Sequence, residues 1–458
     1  MKIRGLAAFL LLAGAAAAPA PQLAGWWQGA LQPAPAITLR LQLHVARGAN
    51  GVLAASLKSI DQGGALVAAS AVRQEGDQVV ISFADLRANF TGRLAADGQT
   101  LAGQWTQGAG QFPLTFHRAS QPPPPLRRPQ EPRPPFPYRS EDVTVPSTGG
   151  IQLAGTLTLP PGAGPFPAAI LIAGSGPQNR DEVVFGHKIF LVLADYLTRR
   201  GIAVLRMDKR GIGKSGGNAA TATTSDYAQD VEADLNYLEK RPDMDARRIG
   251  LIGHSEGGLI APMVASRRHD VSYVVLMAGP GETGEDLLVS QVQALNAAAG
   301  GSPAFVLKAG RQERTVLDLV RSAPDAAAVP ATLRAAEARG AIPDGNYQGQ
   351  MRALASPWFR EFLSLDPAPY LQRLRCPVLA MIGSKDVQVP PAENLPRLRA
   401  ALARDKRAEV VEMPGLNHLF QTASTGLPRE YGSMDETIAP EALARIGDWI
   451  AKTLRLAR

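Results

Sequence analysis

The chain has 458 residues, 45% hydrophobic and 19% charged, with a formal net charge of +7. That balance suits globular protein and excludes wholesale disorder. The basic residues are scattered rather than run together, and no nucleic-acid motif accompanies them, so a nucleic-acid partner is excluded too.

Met1-Lys2-Ile3-Arg4 supplies positive charge, residues 6–18 form a short apolar run, and small residues and Pro19 follow. This charged, apolar, small-residue order predicts a signal peptide over residues 1–20 and an exported protein, periplasmic or secreted. No later stretch of 18 apolar residues exists, so no stable membrane insertion is expected.

Residues 21–119 read as an all-β domain. Short alternating runs at 37–45, 51–57, 78–83, 89–94 and 111–117 are separated by turn signals such as Asp97-Gly98 and Gly63-Gly64, which predicts a small antiparallel barrel or sandwich. Trp26, Trp27 and Trp105 offer either a stacking platform for a glycan or, more simply, core. Residues 120–138 carry Pro122 to Pro125, Pro129, Pro132, Pro134, Pro135 and Pro137, and predict an extended, semi-rigid linker.

From residue 139 to 458 the pattern becomes alternating strands and helices. A hairpin is expected at 141–145 and 153–159, then buried strands at 168–173, 202–207, 249–252, 271–278, 378–382 and 409–412. Helices are expected at 188–200, from an N-cap at Ser225, and from Pro440. Such alternation predicts an α/β fold with a mostly parallel, doubly wound sheet. Residues 281–370 interrupt the rhythm with Ala-rich helical sequence, read as a helical cap inserted at the carboxyl edge of the sheet. The one cysteine, Cys376, sits where a buried strand begins, as a small core side chain.

The strongest chemical signal is Gly253-His254-Ser255-Glu256-Gly257, between a buried strand and an apolar helix. It has the G-x-S-x-G form of a nucleophile elbow, where glycines let strand and helix crowd and the serine oxygen projects from the sheet edge. A hydroxyl needs a base. Of six histidines, only His418, in Pro414-Gly415-Leu416-Asn417-His418-Leu419-Phe420, follows the last strand in the order nucleophile, acid, histidine. His254 abuts the nucleophile with its side chain expected to point away. Asp386, just past the strand at 378–382, is the acid expected to orient His418, with Glu282, Glu285 and Asp286 as alternatives. The oxyanion donors expected are the N–H groups of Glu256 and of Ser175, in Ala173-Gly174-Ser175-Gly176-Pro177. Gly211-Ile212-Gly213-Lys214-Ser215 lacks the earlier glycine of a phosphate loop, since Asp208 stands there. No spacing indicates a metal, and no cofactor is implied.

The elbow Gly253-His254-Ser255-Glu256-Gly257-Gly258, the loop Gly174-Ser175-Gly176-Pro177-Gln178-Asn179-Arg180-Asp181 and the run Asp208-Lys209-Arg210-Gly211-Ile212-Gly213-Lys214-Ser215 together resemble bacterial α/β-hydrolases of the esterase and serine-aminopeptidase-like kind. Ser356-Pro357-Trp358-Phe359 and the segment around His418 strengthen the likeness, which covers residues 139–458. The preceding β domain is similar to the N-terminal extension of some members. The resemblance implies carboxylesterase activity on short acyl esters, a small-molecule substrate, through a covalent acyl-enzyme. Ala173 stands where many relatives carry histidine, which removes one possible hydrogen bond to the loop. Trp358 and Phe359 of the cap are expected to wall the substrate pocket. Two other readings remain open: an exopeptidase with Glu256, Glu282 or Asp181 holding a substrate amine, and a non-catalytic glycan-binding protein led by the β domain.

Overall fold

The computed structural model describes residues 22–456 apart from residues 35–36, 49, 61–65, 108–109, 122–126 and 344–350. The expected signal peptide and the proline run of the linker therefore lie outside the described residues. The chain divides into two compact units, one formed by Met1–Ser59 and Leu66–Pro123, the other chiefly by Pro124–Arg458.

The first unit is built from short strands that alternate in burial. They are β1 (Gly25–Ala34), β2 (Ile37–Arg47), β3 (Leu53–Ser59), β4 (Leu66–Ala68), β5 (Ala71–Glu75), β6 (Gln78–Phe83), β7 (Ala88–Leu94), β8 (Thr100–Gln107) and β9 (Gly110–Ala119). Along β7 every second residue is buried, the period of a strand with one face on a core. Among the described residues the strands form one antiparallel sheet in the order β4-β3-β2-β1-β9-β8-β7-β6-β5. The sheet curls until β3 and β5 approach, and a single apolar cluster fills its inner face, as in a barrel. Trp27 and Trp105 belong to that cluster, so core is their role. The Trp27 indole N–H is satisfied by the Leu23 carbonyl at 2.9 Å. Trp26, half-buried, stacks on His44 with ring centroids 3.9 Å apart.

The second unit opens with the antiparallel pair β10 (Arg139–Pro146) and β11 (Gln152–Leu159), then β12 (Phe166–Ile172), buried throughout. A small hairpin, β13 (Val183–Val184) and β14 (His187–Lys188), leads into α1 (Ile189–Arg199). Next come β15 (Ala203–Met207), α2 (Thr224–Glu239), β16 (Met244–His254), α3 (Gly257–Ala265) and β17 (Tyr273–Met277). The insertion holds α4 (Gly284–Ala298), α5 (Pro303–Ser322), α6 (Val329–Ala338), α7 (Met351–Leu354), α8 (Pro357–Ser364) and α9 (Ala368–Leu371). The chain returns through β18 (Val378–Gly383), α10 (Pro391–Leu402), β19 (Glu409–Met413), α11 (Pro428–Tyr431) and α12 (Pro440–Leu454). The N-cap of α2 is Thr223 rather than Ser225, because Thr223 and Asp226 satisfy each other's backbone N–H in a capping box.

Strand order is β10-β11-β15-β12-β16-β17-β18-β19, with every neighbour from β15 to β19 parallel. One apolar cluster joins the sheet to α2, α3 and α10, and another joins its opposite face to α1 and α12. From β12 the chain passes to β15 on one side and then to β16 on the other. The carboxyl ends of β12 and β16 therefore flank the switch point, where ligands bind in open α/β sheets. This is the α/β-hydrolase arrangement with a helical cap. Cys376 is buried before β18, and burial pushes its thiol up to about 11, which leaves it inert.

The linker departs from expectation. From residue 127 onward it is fastened to the second unit by side-chain bonds, where an extended, semi-rigid spacer is expected. The Arg128 guanidinium donates to the carbonyls of Phe185, Gly186, Gly432 and Met434 at 2.7–3.2 Å. The Gln130 carboxamide brackets Thr437 and Ile438, Glu131 pairs with Lys188 at 3.0 Å, and the Tyr138 hydroxyl donates to Asp195 at 2.8 Å. Proline removes backbone donors but leaves these side chains free to reach across, and they turn a spacer into a strap.

Candidate active site

β16 ends at His254 and the chain turns sharply into α3 through Ser255, whose φ is +54°, a strained conformation for a residue with a side chain. Three close approaches hold it there. A Cβ on Gly253 would run into the Gly257 carbonyl, one on Gly257 into the Ile172 carbonyl, and one on Gly258 into Gly279. The Ser255 N–H is tied to the Met277 carbonyl at 2.9 Å.

His418 lies in the loop after β19, and its Nδ1 is 2.8 Å from Asp386 Oδ2. Both side chains are almost fully buried. The other Asp386 oxygen accepts the N–H groups of Gln388 and Val389, each at 2.8 Å, so the carboxylate cannot rotate away. With Nδ1 donating to Asp386, Nε2 of His418 is the ring atom left to take a proton. Ser255 and His418 line one cavity of about 430 Å³ together with Gly174, Ser175 and Glu256. Among the described residues, neither the Ser175 N–H nor the Glu256 N–H has a protein acceptor. The alternative acids are committed elsewhere: the Glu282 carboxylate takes Ser290 at 2.7 Å and Asn394 at 2.9 Å with Arg397 beside it, and Glu285 and Asp286 pair with Arg314 at 2.8 and 2.7 Å.

The loop bearing Ser175 is fixed without a histidine at position 173. Gly174 N–H donates to Glu182 Oε1 at 2.6 Å, and Lys209 Nζ donates to the Gly174 carbonyl at 2.7 Å. Lys209 also pairs with the buried Glu256 carboxylate at 3.0 Å. That carboxylate further accepts Thr224 Oγ1 at 2.7 Å and, from the cap, the Trp358 indole N–H at 2.6 Å.

The family model described as "Serine aminopeptidase, S33" matches residues 187–328. Esterase EstD of Thermotoga maritima is 27% identical over 321 residues, 69% of this chain and 68% of that protein. Esterase FrsA of Yersinia pestis is 32% identical over 127 residues, 28% of each chain. This chain is an esterase with the α/β-hydrolase fold. Among solved structures, the α/β hydrolase GrgF from Penicillium sp. sh18 is similar at 17% identity and a TM-score of 0.45, over 69% of this chain and all of that one.

Two expectations about the esterase need correction. Phe359 does not line the cavity: it is buried in the cap's own apolar cluster, while Phe362 joins Trp358 on the cavity wall. Residues 358 and 362 share a helix face and 359 does not, so the 3.6-residue period of α8 decides between them. His254 does not point away into the core. It lines the cavity, with Nδ1 2.9 Å from Glu182 Oε1 and Nε2 3.0 Å from the His418 carbonyl oxygen. The residues the sequence reading missed are Glu182, Lys209, Leu287 and Leu288. The helical stripe of the cap held a signal for the leucines alone. His187 is buried against Thr437 and the Tyr431 carbonyl, and burial lowers its pKa to about 4, as suits a neutral packing histidine.

Proposed function

We propose that the esterase is a serine carboxylesterase for short acyl esters, with Ser255 as nucleophile, His418 as base and Asp386 as orienting acid. The observation that carries this reading is the 2.8 Å His418–Asp386 hydrogen bond in the same cavity as a serine held at positive φ. His418 takes the Ser255 proton as the oxygen attacks the ester carbonyl. The N–H groups of Glu256 and Ser175 stabilise the oxyanion. The tetrahedral adduct collapses with expulsion of the alcohol, which His418 protonates, leaving Ser255 acylated. Water, deprotonated by His418, then releases the acid and restores the serine.

Leu287, Leu288, Trp358 and Phe362 give one apolar wall, and Val184 and Phe185 another. A cavity of about 430 Å³ suits a small substrate, with each buried methylene worth about 0.8 kcal/mol until space runs out. The exopeptidase reading needs an unpaired carboxylate for a substrate amine. Its three candidates are all engaged: Glu256 by Lys209, Glu282 by Arg397 and Asp181 by Arg206. The leader-like order of residues 1–20 supports export.

The test is kcat/KM across p-nitrophenyl esters of graded length beside aminoacyl anilides, with fluorophosphonate labelling of wild type and Ser255→Ala. Short esters should lead, and Ser255→Ala should lose about 10⁵- to 10⁶-fold in turnover together with the label. Equal labelling of the variant, or preference for the anilides, overturns the reading.

A further inference from the structure

Two buried histidines differ in what faces them. His187 has a hydroxyl on one ring nitrogen, and a hydroxyl can donate or accept, so a neutral ring is satisfied. His254 has no such partner. Its Nδ1 meets a carboxylate oxygen of Glu182 and its Nε2 meets the His418 carbonyl, at 2.9 and 3.0 Å. Both partners are acceptors, so either neutral tautomer leaves one pair of lone pairs in contact. Gly174 N–H donates to the same Glu182 oxygen, so that oxygen serves as an acceptor in both contacts.

We propose that Glu182 and His254 form a buried carboxylate–imidazolium pair that positions the loops of the catalytic site. The pair joins three segments. Glu182 holds Gly174, next to the oxyanion donor Ser175; His254 precedes Ser255; and His254 Nε2–H holds the backbone of His418 itself. Glu182 adopts φ +46°, a strain tolerated where surrounding contacts demand it. Facing the His254 ring are Glu182, the His418 ring at a centroid distance of 4.9 Å and, beyond it, Asp386; Lys209 turns instead to Gly174, Glu256 and the face of the Tyr227 ring. Burial disfavours charge on His254, but Glu182, by charge and hydrogen bond, with the His418 carbonyl and Asp386, outweighs it and raises the group above its ordinary value.

The sign follows. A histidine raised in the folded state contributes stability that is complete below its unfolded pKa and lost as pH climbs through the folded one. The loops should therefore loosen on the alkaline side, when the ring loses one of its two donors.

The inference rests on the catalytic reading of Ser255 and His418, but its first test does not. In the full chain labelled with ¹⁵N-histidine, and assigned with His254→Gln, both His254 ring nitrogens should carry protons at pH 7. A single protonated nitrogen at that pH overturns the pair while leaving the Ser255 reading untouched. In Glu182→Gln the second proton should be absent, kcat should fall by about 10- to 100-fold with KM little changed, and the alkaline fall of wild-type kcat should vanish, with Glu182→Asp restoring part of each. Wild-type kcat and pH profile in Glu182→Gln overturn it as well.

Discussion

The two units bury different things. Inside the β unit, Trp27, Trp105, Phe90, Phe116 and their aliphatic neighbours pack together, and Gln42 is the one buried polar side chain among the described residues there. The hydrolase unit buries Glu182, His254, Glu256, Lys209, Asp386 and His418 within a few side chains of one cavity. Taking a charge out of water costs several kcal/mol unless a partner compensates. Here the compensation is local and complete for Asp386, which takes His418 and two backbone N–H groups, and for Glu256, which takes Lys209, Thr224 and Trp358. Fold stability alone is satisfied by the first kind of interior; the second kind is concentrated where charge must be held ready.

Substitutions can break that contrast. After Ser255→Ala, the largest loss of ester turnover is expected of Asp386→Asn. It keeps shape but leaves His418 Nδ1 facing an amide, and turnover should fall by about 10⁴-fold while the melting temperature stays close to wild type. Near-normal turnover would transfer the acid's role to another carboxylate. Next is Arg128→Ala, which frees four carbonyls in the two segments beside Phe185 and Pro428 of the cavity wall. It should cost the hydrolase unit about 2 kcal/mol in denaturant unfolding and lower kcat/KM by about tenfold. Unchanged stability would return the strap to the status of a spacer. The smallest effect on turnover belongs to Trp105→Ala. Emptying the β core should destabilise that unit by about 3–5 kcal/mol, visible as an earlier calorimetric transition, with ester hydrolysis within about twofold of wild type. Parallel loss of activity would show that the contrast between the two interiors is not a division of labour.

What the sequence shows and hides follows the same line. Period-2 alternation and continuous apolar runs locate the strands because each records burial of its own segment, and the elbow is local to five residues. His418 emerged because six histidines could be sorted by their place along the chain, and the structure sets it against Asp386. Glu182 and His254 are 72 residues apart, and His254 and His418 are 164 apart, so no local pattern connects them. Phe359 stands next to Trp358 in the sequence, but helical phase puts Phe362 on the face that Trp358 shares. The strap is hidden from the sequence because prolines describe a backbone, whereas its attachment belongs to the side chains of Arg128, Gln130 and Tyr138.

That strap also bears on the order in which the molecule can assemble. Arg128 and Gln130 bond to residues more than 300 positions further along the chain, at Met434 and Ile438. Loop closure over such a span is entropically late, and a chain made from its N-terminus displays the strap long before its receptor segment exists. The parallel sheet and its helices can condense through nearer contacts, while the cavity wall around Phe185 and Pro428 waits for the C-terminal segment to arrive. Closure of that wall is therefore expected among the last steps of folding, and until then the segments around Phe185 and Gly432 would present their carbonyls to water.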